Sequence, residues 1–294
     1  MSKYIFLDNW VYSRLTDAKF ERCLSAFLKH QGYIILITSF SLVELYNPNW
    51  ENAGDKDRVA GATDLWSKHP FILVDQAKVY ERELEVYPNP VSVFPIELNL
   101  NDIPEGERAL MLLKFLRNDE LFINQGESIK TWVENYNKIK GDWFNNVDNI
   151  IEHACRVGDL KRDSKGNFVE LQQCKEKFLL SLDFRMANPN DIDSFLQRLI
   201  IRANKGEQAH LTAIRLSSLC FWYAYIDIDQ TNKMKHEDSD IGDFYQISLL
   251  PYCSAFTTDG SMYQMLKRIH EPIAPVNCDV ITPKKLGNHL SKYQ

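Results

Sequence analysis

The chain has 294 residues, enough for one large domain or two ordinary ones with a sizeable core. Hydrophobic residues make up 45% and charged residues 25%, as in soluble globular proteins, and the formal net charge is -6. That charge excludes the strong basic field of proteins that coat nucleic acid. The six cysteines form no CxxC pair, which indicates free thiols and a reducing compartment. With no signal peptide and no apolar run of about 18–20 residues, we expect a cytoplasmic protein without a membrane partner.

The first ninety residues alternate between strand and helix patterns. Such alternation predicts a parallel sheet, because parallel strands need a crossover connection that is usually helical. Gly32 ends the first long helix, and Ser39 is the expected cap of the next one. The predicted elements are strands over 3–7, 33–38 and 71–74 and helices over 17–30, 40–46, 55–69 and 77–87.

The middle of the chain has an almost wholly helical pattern. Pro88, Pro90 and Pro95 mark a break before it. We therefore predict a core from residues 1–90 and 236–294, with a helical insertion subdomain over 91–235. Apolar residues at spacings of three and four predict helices over 109–116, 129–139, 144–157, 171–182, 192–203 and 210–225.

The last sixty residues return to the alternating pattern. A helix leads from Asp240 to Leu249 and ends before Pro251, and a buried strand over 253–258 ends at Asp259. A helix to about residue 270 and a strand over 274–281 follow. The two ends of the chain would thus form one central parallel sheet flanked by helices. This is an α/β three-layer fold with an all-helical insertion outside it.

Acidic residues fall where these strands end. Asp8 ends the first strand, Asp259 ends the strand near the C-terminus, and Glu44 and Asp243 lie on helices next to strands. In an open parallel sheet, such positions meet at the carboxyl ends of the strands. This carboxyl edge is where such sheets bind their ligands. Clustered carboxylates repel one another unless a cation offsets their charge, and an all-oxygen site suits Mg²⁺ or Mn²⁺. Asp240 is a further candidate ligand or only a helix cap, and Glu207 is another candidate for the same edge.

Three motifs resemble those of the PIN-domain nucleases. They are YIFLDN over 4–9, ITSFSLVEL over 37–45, and DIGD leading to LLPYCSAFTTD over 240–259. The resemblance covers about residues 1–75 and 236–294, and the large insertion departs from the compact members of the family.

The resemblance implies a PIN-like fold and Mg²⁺- or Mn²⁺-dependent cleavage of RNA, usually single-stranded. It implies that Asp8, Glu44, Asp243 and Asp259 are the catalytic, metal-binding acids, and that Asp240 is a further metal ligand. A protein regulator or a second copy of the chain is a candidate partner, and we expect the insertion to wall the acidic edge.

Two other classes of protein share part of this sequence pattern. A haloacid-dehalogenase-like phosphatase also begins with a strand that ends in Asp, but it needs a second acid two residues later, where this chain has Trp10. A catalytically silent PIN fold could serve as an RNA-binding or scaffold module. Metal titration separates the silent module from the nuclease, because only the nuclease needs a divalent ion at the acids.

Overall fold

The computed structural model describes residues 2–46, 53–86, 94–96, 100, 103–117, 127–187, 212–227, 240–269 and 278–294. Its strands are β1 (Lys3–Phe6), β2 (Tyr33–Thr38), β3 (Phe71–Val74), β4 (Lys161–Arg162), β5 (Phe168–Val169), β6 (Ala255–Thr257) and β7 (Asp279–Ile281). Its helices are α1 (Asn9–Ser13), α2 (Ala18–Gln31), α3 (Ser39–Leu45), α4 (Ala53–Lys68), α5 (Gln76–Val86), α6 (Glu105–Leu116), α7 (Ile129–Val157), α8 (Leu171–Ala187), α9 (Thr212–Phe221), α10 (Asp240–Ile247), α11 (Gly260–Arg268) and α12 (Pro283–Leu290).

A five-stranded parallel sheet lies at the centre, in the order β3-β2-β1-β6-β7. The middle strand β1 pairs on one side with β2, with Phe6 opposite Leu36, and on the other with β6, with Phe6 opposite Phe256. Strands from both ends of the chain therefore share one sheet with helices around it. This confirms the predicted α/β three-layer fold with additional helical regions.

The two faces of the sheet carry separate hydrophobic clusters, because successive strand residues point to opposite faces. Phe6, Leu36 and Phe256 belong to one cluster, and Ile5 and Ile35 belong to the other. Helices from the middle of the chain contribute to both clusters: α8 and α9 to the first, α6 and the start of α7 to the second. The described helices of the segment over 91–235 thus pack on both faces of the sheet. The predicted division into core and insertion remains a prediction.

The middle segment is not wholly helical, contrary to expectation. β4 and β5 form a short antiparallel hairpin, with residues 163–167 between them. Residues 129–157 form one helix, where two helices were predicted. Gly141 lies within α7, since a single glycine costs only about 1 kcal/mol and does not break a long amphipathic helix. The helix predicted over 192–203 lies outside the described residues.

Helix ends follow the sequence signals closely. Asp17 caps α2 by accepting from Lys19 N at 2.9 Å, and Gly32 closes it with a φ of 68°. Thr38, and not Ser39, caps α3, because Thr38 Oγ1 accepts from Ser41 N at 3.0 Å. None of the helices in the described parts of the chain is both long enough and apolar enough to cross a membrane.

Candidate functional site

Asp8 stands just past the carboxyl end of the central strand β1. It is the N-cap of α1, and its Oδ1 accepts from Asn9 N at 2.6 Å. Its own N–H donates to Thr257 Oγ1 at 2.7 Å, and Thr257 in turn donates to Phe6 O at 3.2 Å. The cap and the threonine hold the Asp8 carboxylate in one orientation at the edge of the sheet.

Asp259 follows the neighbouring strand β6 in the same way. It is exposed, it caps α11, and its Oδ1 accepts from Met262 N at 2.8 Å. Burial, opposed by the hydrogen bond from Asn9 and assisted by the charge of Asp259, raises the pKa of Asp8 to about 6. Two acids from opposite ends of the chain therefore lie close enough to repel each other.

Glu44 approaches this pair from α3, the helix that follows β2. Gln246 Nε2 donates to its Oε2 at 3.4 Å, and Arg58 Nη2 donates to its backbone carbonyl at 3.2 Å. Burial, and then the charge of Asp8, raise the pKa of Glu44 to about 7. A carboxyl with such a pKa exchanges its proton near neutral pH, as a general acid or base must.

The N-terminal turn of α10 packs on Glu44 through a glycine. A Cβ built on Gly242 would lie 3.5 Å from Glu44 Oε1 and only 3.0 Å from the hydroxyl of Tyr136. Asp243, the next residue, is half-buried. Burial, then the charges of Glu44 and Asp243, raise the pKa of Tyr136. The absence of a side chain at 242 is what allows α10, α3 and α7 to meet here.

One wall of the site comes from the segment that was predicted to be an insertion. Tyr136 lies on α7, and the positive charge of Lys140, one turn later, opposes the rise in the pKa of Glu44. Neither residue was singled out from the sequence. Their spacing of four puts them on one face of a helix, but no pattern in the sequence indicates that this face packs against α3.

Of the predicted acids, Asp8 interacts through its charge with both Asp259 and Glu44, and the charges of Glu44 and Asp243 both act on Tyr136. Asp240 begins α10, but its side chain lies outside the description, as does all of Glu207. Among the side chains that are described, no three from His, Cys, Asp or Glu are grouped so that they could hold one ion. The shared three-acid metal site therefore remains a prediction.

The chemistry of the donors nevertheless fits a hard divalent cation. The acids offer only oxygen, and two of them carry raised pKa values because burial and neighbouring carboxylates disfavour their charge. Mg²⁺ is usually held by one or two carboxylates together with several waters, so it does not require three protein ligands. Comparison with known proteins adds no further indication, since no family model, no curated protein and no solved structure matches this chain.

Proposed function

We propose that the chain is a metal-dependent endoribonuclease that hydrolyses phosphodiester bonds of single-stranded RNA, with Mg²⁺ or Mn²⁺ held by carboxylates. The observation that carries the proposal is the repulsion of Asp8 with both Asp259 and Glu44 at the carboxyl edge of a parallel sheet. A protein keeps such groups together at a cost, and a bound cation would offset it.

The side chains have separable roles in this proposal. Asp8 and Asp259 would hold the cation, because backbone N–H groups already orient one oxygen of each. The cation would neutralise charge on the phosphate and make a water more acidic. Glu44 would accept the proton of the attacking water, and Lys140 would attract the substrate phosphate beside it. Asp243 and Asp240 would complete the negative surface that faces the hydrated ion.

We also propose a cytoplasmic location and a protein partner. All six cysteines are free, which agrees with a reducing, cytoplasmic location. A protein regulator or a second copy of the chain would be a natural control on a cytoplasmic ribonuclease.

The second candidate function is a catalytically silent RNA-binding or scaffold module with the same fold. The observation that favours it is that no group of three potential ligands occurs among the described side chains. A silent module should bind no divalent ion at the acids.

Cleavage of a fluorescent single-stranded RNA tests the choice between the two functions. We expect cleavage with Mn²⁺ or Mg²⁺, none in EDTA, and a loss of at least about 100-fold in Asp8→Asn, where a ligand charge is removed without a change of shape. The matched control is Asp148→Asn, which removes an exposed charge on α7. Full activity in EDTA or in Asp8→Asn would rule out the metal nuclease, and a failure of Mn²⁺ to bind in calorimetry would favour the silent module.

A further inference from the structure

A cavity of about 270 Å³ lies between α3 and α7, beside the acidic edge. Its size is just below the roughly 300–1,000 Å³ of clefts that take drug-sized ligands. It therefore suits one flat ring system better than a whole nucleotide. Among the residues that line it are Phe40, Asp75, Trp132, Asn135, Tyr136 and Ile139.

The aromatic walls of the cavity are held in place by other side chains. The Phe40 ring stacks on Tyr245 at 5.1 Å and meets Tyr136 edge-on at 5.3 Å. Trp132 packs edge-on against Phe115 at 5.1 Å, and its Nε1 donates to Glu127 at 2.7 Å. Rings fixed in this way lose little entropy when a planar ligand stacks on them. Ile139 at the cavity is 43% exposed, an apolar surface that a ligand would cover.

Tyr136 joins the cavity to the acids. Its ring lines the cavity, while its hydroxyl lies at Gly242, and the charge of Glu44 acts on it. Val43, also in the lining, is the residue before Glu44 on α3. A group bound in the cavity is therefore one side chain away from the proposed site of cleavage.

The polar side of the cavity includes Ser39, Asn135 and Asp75, of which Asp75 alone is charged. Asp75 follows the carboxyl end of β3, and its side chain is 19% exposed. One of its oxygens accepts from Lys78 N at 3.2 Å and the other lies 3.5 Å from Lys78 Nζ. These contacts fix the carboxylate at the start of α5, and each oxygen keeps a further lone pair for a ligand. An ionised carboxylate only accepts hydrogen bonds, so it favours a ligand edge that presents N–H donors.

We propose that this cavity binds the base next to the scissile phosphodiester, with a preference for guanine. This inference rests on the proposed ribonuclease function. Guanine presents two adjacent donors, N1–H and the exocyclic amine, to a single carboxylate. Uracil has one N–H between two carbonyls that the carboxylate repels, and adenine and cytosine place a ring acceptor beside their amine. Single-stranded RNA is commonly recognised by stacking on aromatic rings together with hydrogen bonds to a base edge.

The net charge of -6 favours recognition of RNA through a base over recognition through its phosphates. Phosphate contacts that release counterions supply much of the affinity in basic nucleic-acid-binding proteins, and this chain has no such field. Recognition would then depend on the base, and Lys140 would give only local help at the phosphate.

Binding to the inactive, full-length Asp8→Asn protein tests the inference without any cleavage. Labelled hexanucleotide RNAs that differ at one central position, G, inosine, A, C or U, are compared by fluorescence anisotropy. We expect G to bind about tenfold or more tightly than U, because a bidentate pair discriminates by roughly that factor or more. Inosine, which lacks the exocyclic amine, should fall between them. Adding Asp75→Asn should remove the preference, whereas adding Asp148→Asn should leave it unchanged.

A second measurement distinguishes the loss of the base site from the misfolding of a variant. RNA that contains G should quench tryptophan fluorescence in the Asp8→Asn protein, and most of the quenching should be lost when Trp132→Phe is added. Equal affinity for all five RNAs, or a preference that survives Asp75→Asn, would overturn the base site. A guanine preference that depends on Asp75, in a wild-type protein that never cleaves RNA with Mn²⁺, would overturn the nuclease and leave the base site standing.

Discussion

The backbone N–H of Asp8 donates a 2.7 Å hydrogen bond to Thr257 Oγ1, across 249 residues of sequence. Thr257 is fully buried and also donates to Phe6 O, so its hydroxyl joins β1 to β6 where both strands end. The position of Asp8 at the site thus depends on the C-terminal part of the chain.

Thr257→Val should therefore weaken both the fold and the proposed activity. The change keeps the shape but leaves the buried N–H of Asp8 without its acceptor, which costs about 1–3 kcal/mol. We expect a lower free energy of unfolding in urea, and a loss of cleavage larger than the loss of folded protein explains. Thr63→Val removes a hydroxyl bonded to its own helix and serves as the control. Unchanged stability in Thr257→Val would mean that this hydrogen bond does not stabilise the carboxyl edge of the sheet.

The raised pKa values of Asp8 and Glu44 predict how stability depends on pH in the metal-free protein. Between about pH 4 and pH 6–7, the folded state holds protons on these groups that the unfolded state has released. Their contribution to the free energy of unfolding therefore falls as pH rises through this window. A shift of about two units corresponds to at most about 3 kcal/mol for one group.

Asp8→Asn should remove this penalty. In EDTA, we expect the variant to gain stability over the wild type by about 1–3 kcal/mol between pH 4.5 and pH 8, as measured by urea unfolding at each pH. Asp148→Asn, which removes an exposed carboxylate on α7, is the matched control. A difference between wild type and Asp8→Asn that is constant with pH would contradict a raised pKa at Asp8.

Gly242 should be needed for the approach of α10 to Glu44 and Tyr136. In most helices Gly→Ala is stabilising by roughly 0.5–1 kcal/mol, and Gly141→Ala in α7 should show that gain, since nothing lies within 4 Å of the new Cβ. Gly242→Ala should show no gain and should reduce cleavage, because its Cβ meets the Tyr136 hydroxyl at 3.0 Å.

The double variant Gly242→Ala/Tyr136→Phe separates a steric cause from other effects. Removing the hydroxyl relieves the contact, so the stability of the double variant should exceed the sum of the two single changes. Additive effects would show that contact with the Tyr136 hydroxyl is not what makes alanine unfavourable at position 242.

Much of the edge was predictable because strand ends and helix caps leave local signals. Asp8 and Asp259 each follow a buried strand and cap the next helix, and the structure has both in those roles. Tyr136 and Lys140 could not be predicted, because helical periodicity shows which residues share a face but not which element that face meets. The break predicted between residues 139 and 144 was wrong for a related reason, since the packing of α7 outweighs the small helix-breaking tendency of Gly141.

A buried carboxylate joins the middle of the chain to the rest. Glu83 on α5 is 2% exposed and accepts from Ala213 N at 2.7 Å and Ile214 N at 3.3 Å, which satisfies the first turn of α9. The hydroxyl of Tyr252, just before β6, also donates to it. Glu83 therefore connects a helix of the predicted core, a helix of the predicted insertion and the C-terminal part of the chain.

Glu83→Ala should consequently destabilise the whole protein in a single transition. The change leaves two helix N–H groups and a tyrosine hydroxyl without their charged acceptor, and hydrogen bonds to charged groups contribute about 1.5–3 kcal/mol each before relaxation. We expect the free energy of unfolding to fall by about 3 kcal/mol or more, with α9 and the sheet losing amide protection together in hydrogen exchange. Glu85→Ala, on the same helix but with a side chain that is 63% exposed, should change stability by less than about 0.5 kcal/mol. If α9 instead loses protection while the sheet keeps it, the segment over 91–235 is a separate folding unit, and excising it becomes a fair test of whether it walls the acidic edge.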